Sequence, residues 1–492
     1  MFSPISRIPK YVQAATLISI GGLLFGLDTG TIGPLTTMPQ YYESFGHISS
    51  TIHGLVVSTI LITASISSFF GGHVANSLGR LRGVAIGSAI FGAGAAIEGG
   101  SVKLGMLITG RAIKGIGEGT FLSTSIVYIT EISPPQYRGT LASIPQLFTT
   151  VGLCAGYFIC YGTVNISSSI SWRLPFLLQA GISFLFSTST LLLLPESPRW
   201  LSSHGRKQQA LAAWNSLQIA TAEREKEDEI PNAQEMQPVK TKDILGVFGR
   251  DVWKQTSLGV FLMSMQQLTG IDGILYYAPL LFASAGLKSS TASFLASGIS
   301  GLLILLVTIP AFLLADKWGR KTASMLGGFF QMGLLFLIGS LYATGAVHEE
   351  HGVARWVVII SIFAFAVVFS GTWGVSFRVY ISEIQPPKTR AGATSLSLSA
   401  NWVMNWIVAF TTPIFLAHSS FGVYFLWGSF ALITVVVCAL FMPETRGKSL
   451  EEIDASFKHT GHDVEKIDTP LVSSSTSVKP NTVICAKEAG IS

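Results

Sequence analysis

Apolar residues occur in long runs along this chain of 492 residues, and most charged residues lie between the runs. About twenty apolar residues are needed to cross the hydrocarbon core of a bilayer as a helix. Continuous runs of this kind favour an all-α membrane protein over a β-barrel, whose strands alternate in polarity. The twelve predicted spans are 12–32, 52–74, 83–101, 104–127, 140–162, 173–194, 255–283, 291–315, 323–344, 354–382, 391–416 and 420–442.

The composition agrees with this pattern. Hydrophobic residues make up 49% of the chain, charged residues make up 12%, and the mean hydropathy is +0.51. Soluble domains carry roughly a quarter charged residues, so the composition excludes a soluble enzyme and a disordered chain. The sequence has no zinc His-Glu-x-x-His motif and no phosphate-binding loop, and its four cysteines lack metal-ligand spacing. We therefore expect a membrane protein that is not an enzyme and that needs no cofactor, metal or nucleic acid.

Polarity divides the chain into segments. A linker rich in charged residues separates the sixth and seventh spans, and a tail rich in serine and threonine follows the twelfth. Most of the 32 lysines and arginines lie at the termini or in loops on the same side, which predicts cytoplasmic termini. The predicted segments are an N-terminal six-helix half 1–194, a cytoplasmic linker 195–250, a C-terminal six-helix half 251–443 and a mostly disordered cytoplasmic tail 444–492.

Three pairs of loop motifs occur in the same order in the two halves. Gly71 to Arg80 resembles 315–321, and Pro195-Glu-Ser-Pro-Arg199 resembles Pro443-Glu-Thr-Arg446. The third pair is Glu131-Ile-Ser-Pro-Pro-Gln-Tyr-Arg138 and Glu383-Ile-Gln-Pro-Pro-Lys-Thr-Arg390. Such repetition predicts a duplicated six-helix unit.

Together with Gly21 to Gly30, Gly110-Arg111 and Gln266 to Tyr277, these motifs resemble the sugar porter family of the major facilitator superfamily, most closely its fungal members. The resemblance covers about residues 12–455. It implies two pseudo-symmetric halves of six transmembrane helices that carry a monosaccharide, a hexose or a pentose, across the plasma membrane by alternating access. Proton symport is the favoured form of transport, and facilitated transport is the alternative. A sugar sensor that does not transport is a further alternative, and the oligomeric state is not predicted.

The resemblance implies a proton-coupling pair formed by Asp28 in the first span and Arg111 in the fourth. Ionisable side chains inside a membrane usually face a cavity or each other. Movement of Arg111 could therefore switch the proton of Asp28, whereas the alternative is a permanent structural ion pair. Lys114 and Glu118 are four residues apart, which predicts a local salt bridge at a helix contact or an influence on coupling.

The loop motifs place acids beside bases at cytoplasmic helix ends. We interpret them as a latch that pairs across the inner faces of the two halves and breaks as the transporter opens inward; the alternative is that they only set topology. Asn76 stands where the family usually has aspartate, so the latch of the first half is expected to be weaker. The latch residues are Arg80, Glu131, Arg138, Glu196, Asp316, Arg320, Glu383, Arg390 and Glu444.

The resemblance also implies a sugar site between the halves, built from amides and aromatic rings. Amides suit hydroxyl groups because they both donate and accept hydrogen bonds, although each amide could instead bond helix to helix. The predicted residues are Gln146, Gln266, Gln267, Asp272, Arg378, Asn401, Trp402 and Asn405, with Phe25, Tyr276 and Tyr277 as stacking walls or a gate.

Two charged residues depart from the family pattern at this site. Asp272 stands where asparagine is usual, and Arg378 stands where a large neutral residue is usual. We expect these opposite charges to form a salt bridge or to share a polar substrate. If Arg378 is free, its planar fork could hold the carboxylate of a sugar acid such as galacturonate.

Overall fold

The computed structural model of the chain describes residues 8–134, 137–219, 249, 252–287, 289–314, 319–348, 352–385, 389–446, 452–453 and 456–457. Its regular elements are α-helices. Those of the first half and the start of the linker are α1 (Lys10–Ile18), α2 (Ile20–Thr37), α3 (Pro39–Phe45), α4 (Ser50–Leu78), α5 (Arg80–Gly99), α6 (Leu104–Ile132), α7 (Arg138–Thr163), α8 (Ile170–Leu193), α9 (Pro198–Ser203) and α10 (Lys207–Ser216).

The second half is built in the same way. Its helices are α11 (Trp253–Leu268), α12 (Ile271–Tyr276), α13 (Ala278–Ser284), α14 (Ser290–Leu314), α15 (Arg320–Ala343), α16 (Ala354–Gly371), α17 (Trp373–Glu383), α18 (Arg390–His418) and α19 (Gly422–Phe441).

Eleven helical segments in the described part of the chain are long and apolar enough to cross a membrane. Of the predicted spans, only the fourth falls outside this set. It lies in α6, which has 29 residues and is long enough to cross, but carries four charged side chains. All four are buried, so they face the protein interior rather than lipid: Arg111, Lys114, Glu118 and Glu131.

Two predicted spans of the second half are broken helices. The run 255–283 forms α11, α12 and α13, and the first break is at Gly270, whose φ of 86° lies in the left-handed region that favours glycine. The run 354–382 forms α16 and α17, with the break at Thr372. In the first half, the predicted span 12–32 is likewise divided between α1 and α2 at Ser19, whereas α6 is uninterrupted.

The two halves touch through glycines at one end of the bundle. A Cβ atom on Gly33 of α2 would lie 1.8 Å from the carbonyl oxygen of Tyr276, and one on Gly54 of α4 would lie 2.3 Å from that of Phe410. Only glycine allows the backbones to approach so closely. We call this the far end, and the opposite end, where Arg80 begins α5, the motif end.

The described part of the linker packs onto the motif end of the first half. Trp200 of α9 is buried and donates a hydrogen bond from Nε1 to the carbonyl oxygen of Asn76 over 2.9 Å. Trp200 also packs in a small cluster with Ala210 and Ala213 of α10. Residues 220–248 and 250 of the predicted linker, and the predicted tail apart from 444–446, 452–453 and 456–457, lie outside the described residues.

Candidate functional site

A network of ionic contacts joins the helix ends of the first half at the motif end. Arg80 donates from Nη2 to Glu131 Oε1 on α6 over 2.7 Å. Ser197 donates from Oγ to Glu131 Oε2 over 2.5 Å. Glu196 accepts hydrogen bonds from the backbone N–H groups of Arg80 and Leu81 at 3.1 and 3.2 Å. Its carboxylate thus lies at the N-terminus of α5, where the helix dipole favours negative charge.

The second half repeats this network. Arg320 donates from Nη2 to Glu383 Oε1 over 3.0 Å, and Thr445 donates from Oγ1 to Glu383 Oε2 over 2.6 Å. Glu444 accepts from the backbone N–H groups of Arg320 and Lys321 at 2.7 and 3.1 Å. The repeated motifs therefore build the same structure twice.

These contacts do not show the predicted pairing across the halves. Among the described residues, each pair joins elements of a single half. The acids and bases are satisfied at the helix ends of their own half, which fixes those helices to one another. The latch stays a prediction, and three of its members cannot be placed: Asp316 and the side chains of Arg138 and Arg390 lie outside the described residues.

A second group of charged side chains lies in the middle of the first half. Arg111 donates from Nη1 and Nη2 to the two carboxylate oxygens of Asp28, at 3.1 and 3.2 Å, and Nη2 also donates to the carbonyl oxygen of Val57. Asp28 is 3% exposed and Arg111 is 0% exposed. The structure therefore brings the two predicted coupling residues together in a bidentate ion pair.

Lys114 completes this ion pair instead of bonding to Glu118. Its Nζ atom contacts Asp28 Oδ1 at 2.6 Å, Glu98 Oε2 at 2.9 Å and Gln179 Oε1 at 2.5 Å. The predicted local salt bridge is wrong, because the three donors of the ammonium group point to α2, α5 and α8 and none remains for Glu118.

Sequence reasoning misses two members of this cluster, Glu98 and Gln179. Glu98 is fully buried, and its second oxygen lies 3.6 Å from Arg111 Nη1. A signal was present, since an acid within the predicted span 83–101 requires a partner in the membrane just as Asp28 does. We call Asp28, Glu98, Arg111, Lys114 and Glu118 the charge cluster.

The predicted amides of the second half divide into two kinds. Gln266 bonds helix to helix: its Nε2 donates to the carbonyl oxygen of Trp373 over 2.8 Å, and its Oε1 accepts from Asn401 over 3.1 Å. Gln267 donates to Asn401 over 3.3 Å, but its Oε1 has no partner in the described part of the chain. The same holds for Oδ1 of Asn405. Two buried acceptors are thus left for a ligand.

Arg378 reaches across the space between the halves. Its Nη1 donates to Oε1 of the half-buried Gln146 on α7 over 2.5 Å. Arg378 is exposed although it lies inside a predicted span, so solvent reaches this space. Asp272 lies near enough to interact electrostatically with Arg378, but the expected direct salt bridge is not formed among the described residues, because the guanidinium turns to Gln146.

The predicted aromatic residues lie at two levels. Phe25 of the first half and Trp402 of the second half meet edge to face, with ring centroids 5.7 Å apart. Tyr276 and Tyr277 are buried at the far end, where Tyr277 donates from its hydroxyl to the carbonyl oxygen of Ala409 over 2.7 Å. Their position fits a gate better than a stacking wall for a sugar.

Comparison with known proteins shows the family to which the chain belongs. Residues 14–457 match the family described as "Sugar (and other) transporter". The chain belongs to this family. Its helical fold is that of a solved sugar transporter structure.

Several relatives match over most of their length. The high-affinity glucose transporter of Kluyveromyces lactis is 30% identical over 464 residues, which cover 88% of this chain and 83% of that protein. The arabinose-proton symporter of Bacillus subtilis is 32% identical over 447 residues, covering 88% and 92%. The partially occluded inward open structure of the xylose transporter XylE from E. coli has a TM-score of 0.73 and 27% identity, covering 89% of this chain and 99% of that one.

These matches confirm the predicted resemblance to sugar porters and the predicted major facilitator fold of a multi-pass membrane protein. They also confirm that the family consists of transporters and not of enzymes.

Proposed function

We propose that this chain carries a monosaccharide, a hexose or a pentose, across the plasma membrane together with a proton by alternating access. The observation that carries the proposal is the buried bidentate ion pair of Asp28 and Arg111, beside a polar space between the halves. Relatives named as a glucose transporter and an arabinose-proton symporter support the same function.

The sugar site lies between Gln146 of the first half and the amides of the second half. Oε1 of Gln267 and Oδ1 of Asn405, which have no hydrogen-bond partner among the described residues, can accept hydrogen bonds from sugar hydroxyls. Phe25 and Trp402 offer apolar surfaces for the faces of a sugar ring.

The motif end faces the cytoplasm in this proposal, and both termini are cytoplasmic. The positive-inside rule supports this orientation, because the basic loops lie at that end. The halves are in contact at the far end through Gly33 and Tyr276, and the exposed Arg378 lies in α17 five residues before Glu383 of the motif end. In this proposed orientation the described conformation is inward-facing.

A labelled uptake panel tests this function. Hexoses, pentoses, polyols and uronates are offered to a transport-deficient host that expresses the chain, with and without a proton uncoupler. We expect uptake of a hexose or pentose above equilibrium that the uncoupler abolishes. Uptake that never exceeds equilibrium and ignores external pH would indicate a facilitator, and binding without uptake would indicate a sensor.

Arg378 supports a second candidate substrate, a sugar acid such as galacturonate. Its guanidinium is exposed between the halves and forms no ion pair in the described part of the chain, so it could bind a carboxylate. The neutral sugar remains favoured because the nearby Asp272 would repel the acid. Uptake of galacturonate far above that of neutral sugars in the panel would reverse this choice.

A further inference from the structure

Glu118 differs from the other acids of the charge cluster because it forms neither a hydrogen bond nor a salt bridge with any residue that the structure describes. Its side chain is 0% exposed, and neither of its carboxylate oxygens has a hydrogen-bond partner among the residues that the structure describes. Asp28 and Glu98, in contrast, both contact Lys114 and Arg111.

Neither cation of the cluster donates a hydrogen bond to Glu118 in the described part of the chain. Lys114 uses its three donors on Asp28, Glu98 and Gln179, and both terminal nitrogens of Arg111 contact Asp28. Two cations are therefore balanced by two carboxylates. If Glu118 were ionised, its negative charge would be buried without a compensating cation. A carboxylate in such an environment binds a proton and becomes neutral. The geometry thus leaves Glu118 as a protonated acid.

Along α6, Glu118 lies nearer the motif end than Arg111 and Lys114, which pair with Asp28. Arg111, Lys114 and Glu118 are spaced by three and four residues and share one face of α6. At about 1.5 Å per residue, Glu118 lies about 6 Å nearer the motif end than Lys114. On that side the halves admit solvent, as the exposed Arg378 shows.

The surroundings of Glu118 contain few other groups that could control its proton. Helix α4 packs against α6 here with the Ala64 carbonyl and the Ser67 hydroxyl beside Gly119, and neither is charged. The charged and titratable groups that act on Glu118 are Asp28 from α2, Glu98 from α5, Arg111 and Lys114 from α6, and Tyr276 from α12.

We propose that Glu118 is a second proton-binding residue, which holds the coupled proton in this conformation while Asp28 is ionised and releases it toward the motif end. The proton leaves the carboxyl group of Asp28, whose carboxylate then pairs with Arg111 and Lys114, and binds a carboxylate oxygen of Glu118. It next passes from Glu118 to water at the motif end. This inference rests on the proposed proton symport, which supplies the proton.

Transport by Glu118→Gln tests the inference, because glutamine imitates the protonated acid but cannot release a proton. Purified protein is placed in vesicles with a pH gradient of one unit, which supports about tenfold accumulation at one proton per sugar. We expect Glu118→Gln to keep sugar exchange but to fall to onefold accumulation with no sugar-driven proton movement. Glu118→Asp should keep coupling at a lower rate, and the exposed Glu43→Gln serves as the matched control and should behave like the wild type.

Transport by the wild type distinguishes a failure of proton symport from a failure of the role proposed for Glu118. If it moves sugar without protons, proton symport fails; if it is coupled and Glu118→Gln is equally coupled, only the role of Glu118 fails.

Infrared spectroscopy of the purified protein gives a readout that does not depend on transport. We expect the carbonyl band of a buried protonated carboxylic acid at neutral pH in the wild type, its loss in Glu118→Gln and its shift in Glu118→Asp. If Glu118→Gln does not reach the membrane, the wild type and Glu118→Asp still carry the test. Absence of the band in the wild type, or its persistence in Glu118→Gln, would overturn the assignment.

Discussion

Asp28 in the first half and Asp272 in the second half follow similar residues, Gly-Leu and Gly-Ile, yet their environments are opposite. Asp28 is 3% exposed and is held by Arg111 and Lys114. Asp272 is half-buried and forms no ion pair among the described residues. The comparison teaches that two similar sequence positions differ in environment: one aspartate lies in a charge-balanced interior and the other lies beside the proposed sugar site.

The backbones that carry the two aspartates also differ. Asp28 lies in the middle of α2, whereas Asp272 lies in the first turn of α12, two residues after the break at Gly270. Broken membrane helices place free backbone groups and adjustable side chains at a substrate site. We infer that the first half holds the proton on a rigid frame and that the second half adapts to the sugar.

The largest expected effect is on the stability of the first half. Lys114→Met leaves Asp28 and Glu98 short of a cation in a buried site, which costs about 3–5 kcal/mol of folding free energy. The exposed Arg378→Gln in the second half should cost about 0.5 kcal/mol or less. Thermal unfolding of the purified variants measures both. Adding Glu98→Gln to Lys114→Met restores the charge balance and should recover part of the loss; equal melting temperatures for Lys114→Met and Arg378→Gln would contradict the contrast.

Substitution of two neighbouring amides in the second half should distinguish an effect on sugar binding from an effect on helix packing. Gln267→Ala removes an acceptor available to the sugar, which costs about 1–3 kcal/mol, a fall in apparent affinity of at least several-fold. Gln266→Ala removes contacts to Trp373 and Asn401 and should lower the melting temperature more than Gln267→Ala does. Concentration-dependent uptake and thermal unfolding distinguish the two. Unchanged affinity and rate in Gln267→Ala would remove this residue from the site.

The acids of the two halves should differ in their effect on coupling. Asp28→Asn cannot exchange the proton, so it should lose uphill uptake, about tenfold for a pH gradient of one unit, and keep part of the downhill exchange. Asp272→Asn should keep uphill uptake and change the preference among sugars. Accumulation and counterflow in vesicles provide the measurement. Loss of coupling in Asp272→Asn together with its retention in Asp28→Asn would reverse the assignment of the halves.

The smallest effect concerns Asp272 and Arg378. Asp272→Asn and Arg378→Trp, singly and together, are compared for uptake of glucose, xylose and galacturonate. Because the two charges interact without a direct salt bridge, we expect an interaction energy of about 0.5 kcal/mol or more, with the double variant less impaired than the sum of the singles. Strictly additive losses would show that the two side chains act independently.

The fold and part of the site can be predicted from the sequence for physical reasons. The direction in which each buried side chain points cannot be predicted in this way. The pairing of Asp28 with Arg111 could be predicted, because an ionisable side chain in an apolar run needs a partner and the family resemblance brings the two helices together. Residue spacing alone could not show that Lys114 turns away from Glu118, since its partners come from three other helices. The break at Gly270 has a signal in its glycine, and the break at Thr372 has one in the adjacent Ser370-Gly371 pair.

The balance of charges in the cluster determines how the membrane voltage acts on the carrier. With Glu118 protonated, Arg111 and Lys114 cancel Asp28 and Glu98, so the loaded carrier reorients without net charge in the cluster. After proton release the cluster carries one negative charge, and moving one charge across the whole field changes the free energy by about 2.3 kcal/mol per 100 mV. A negative cell interior would then drive the empty carrier outward. We therefore expect voltage to set the rate of the return step, and transport currents at saturating sugar to report that step.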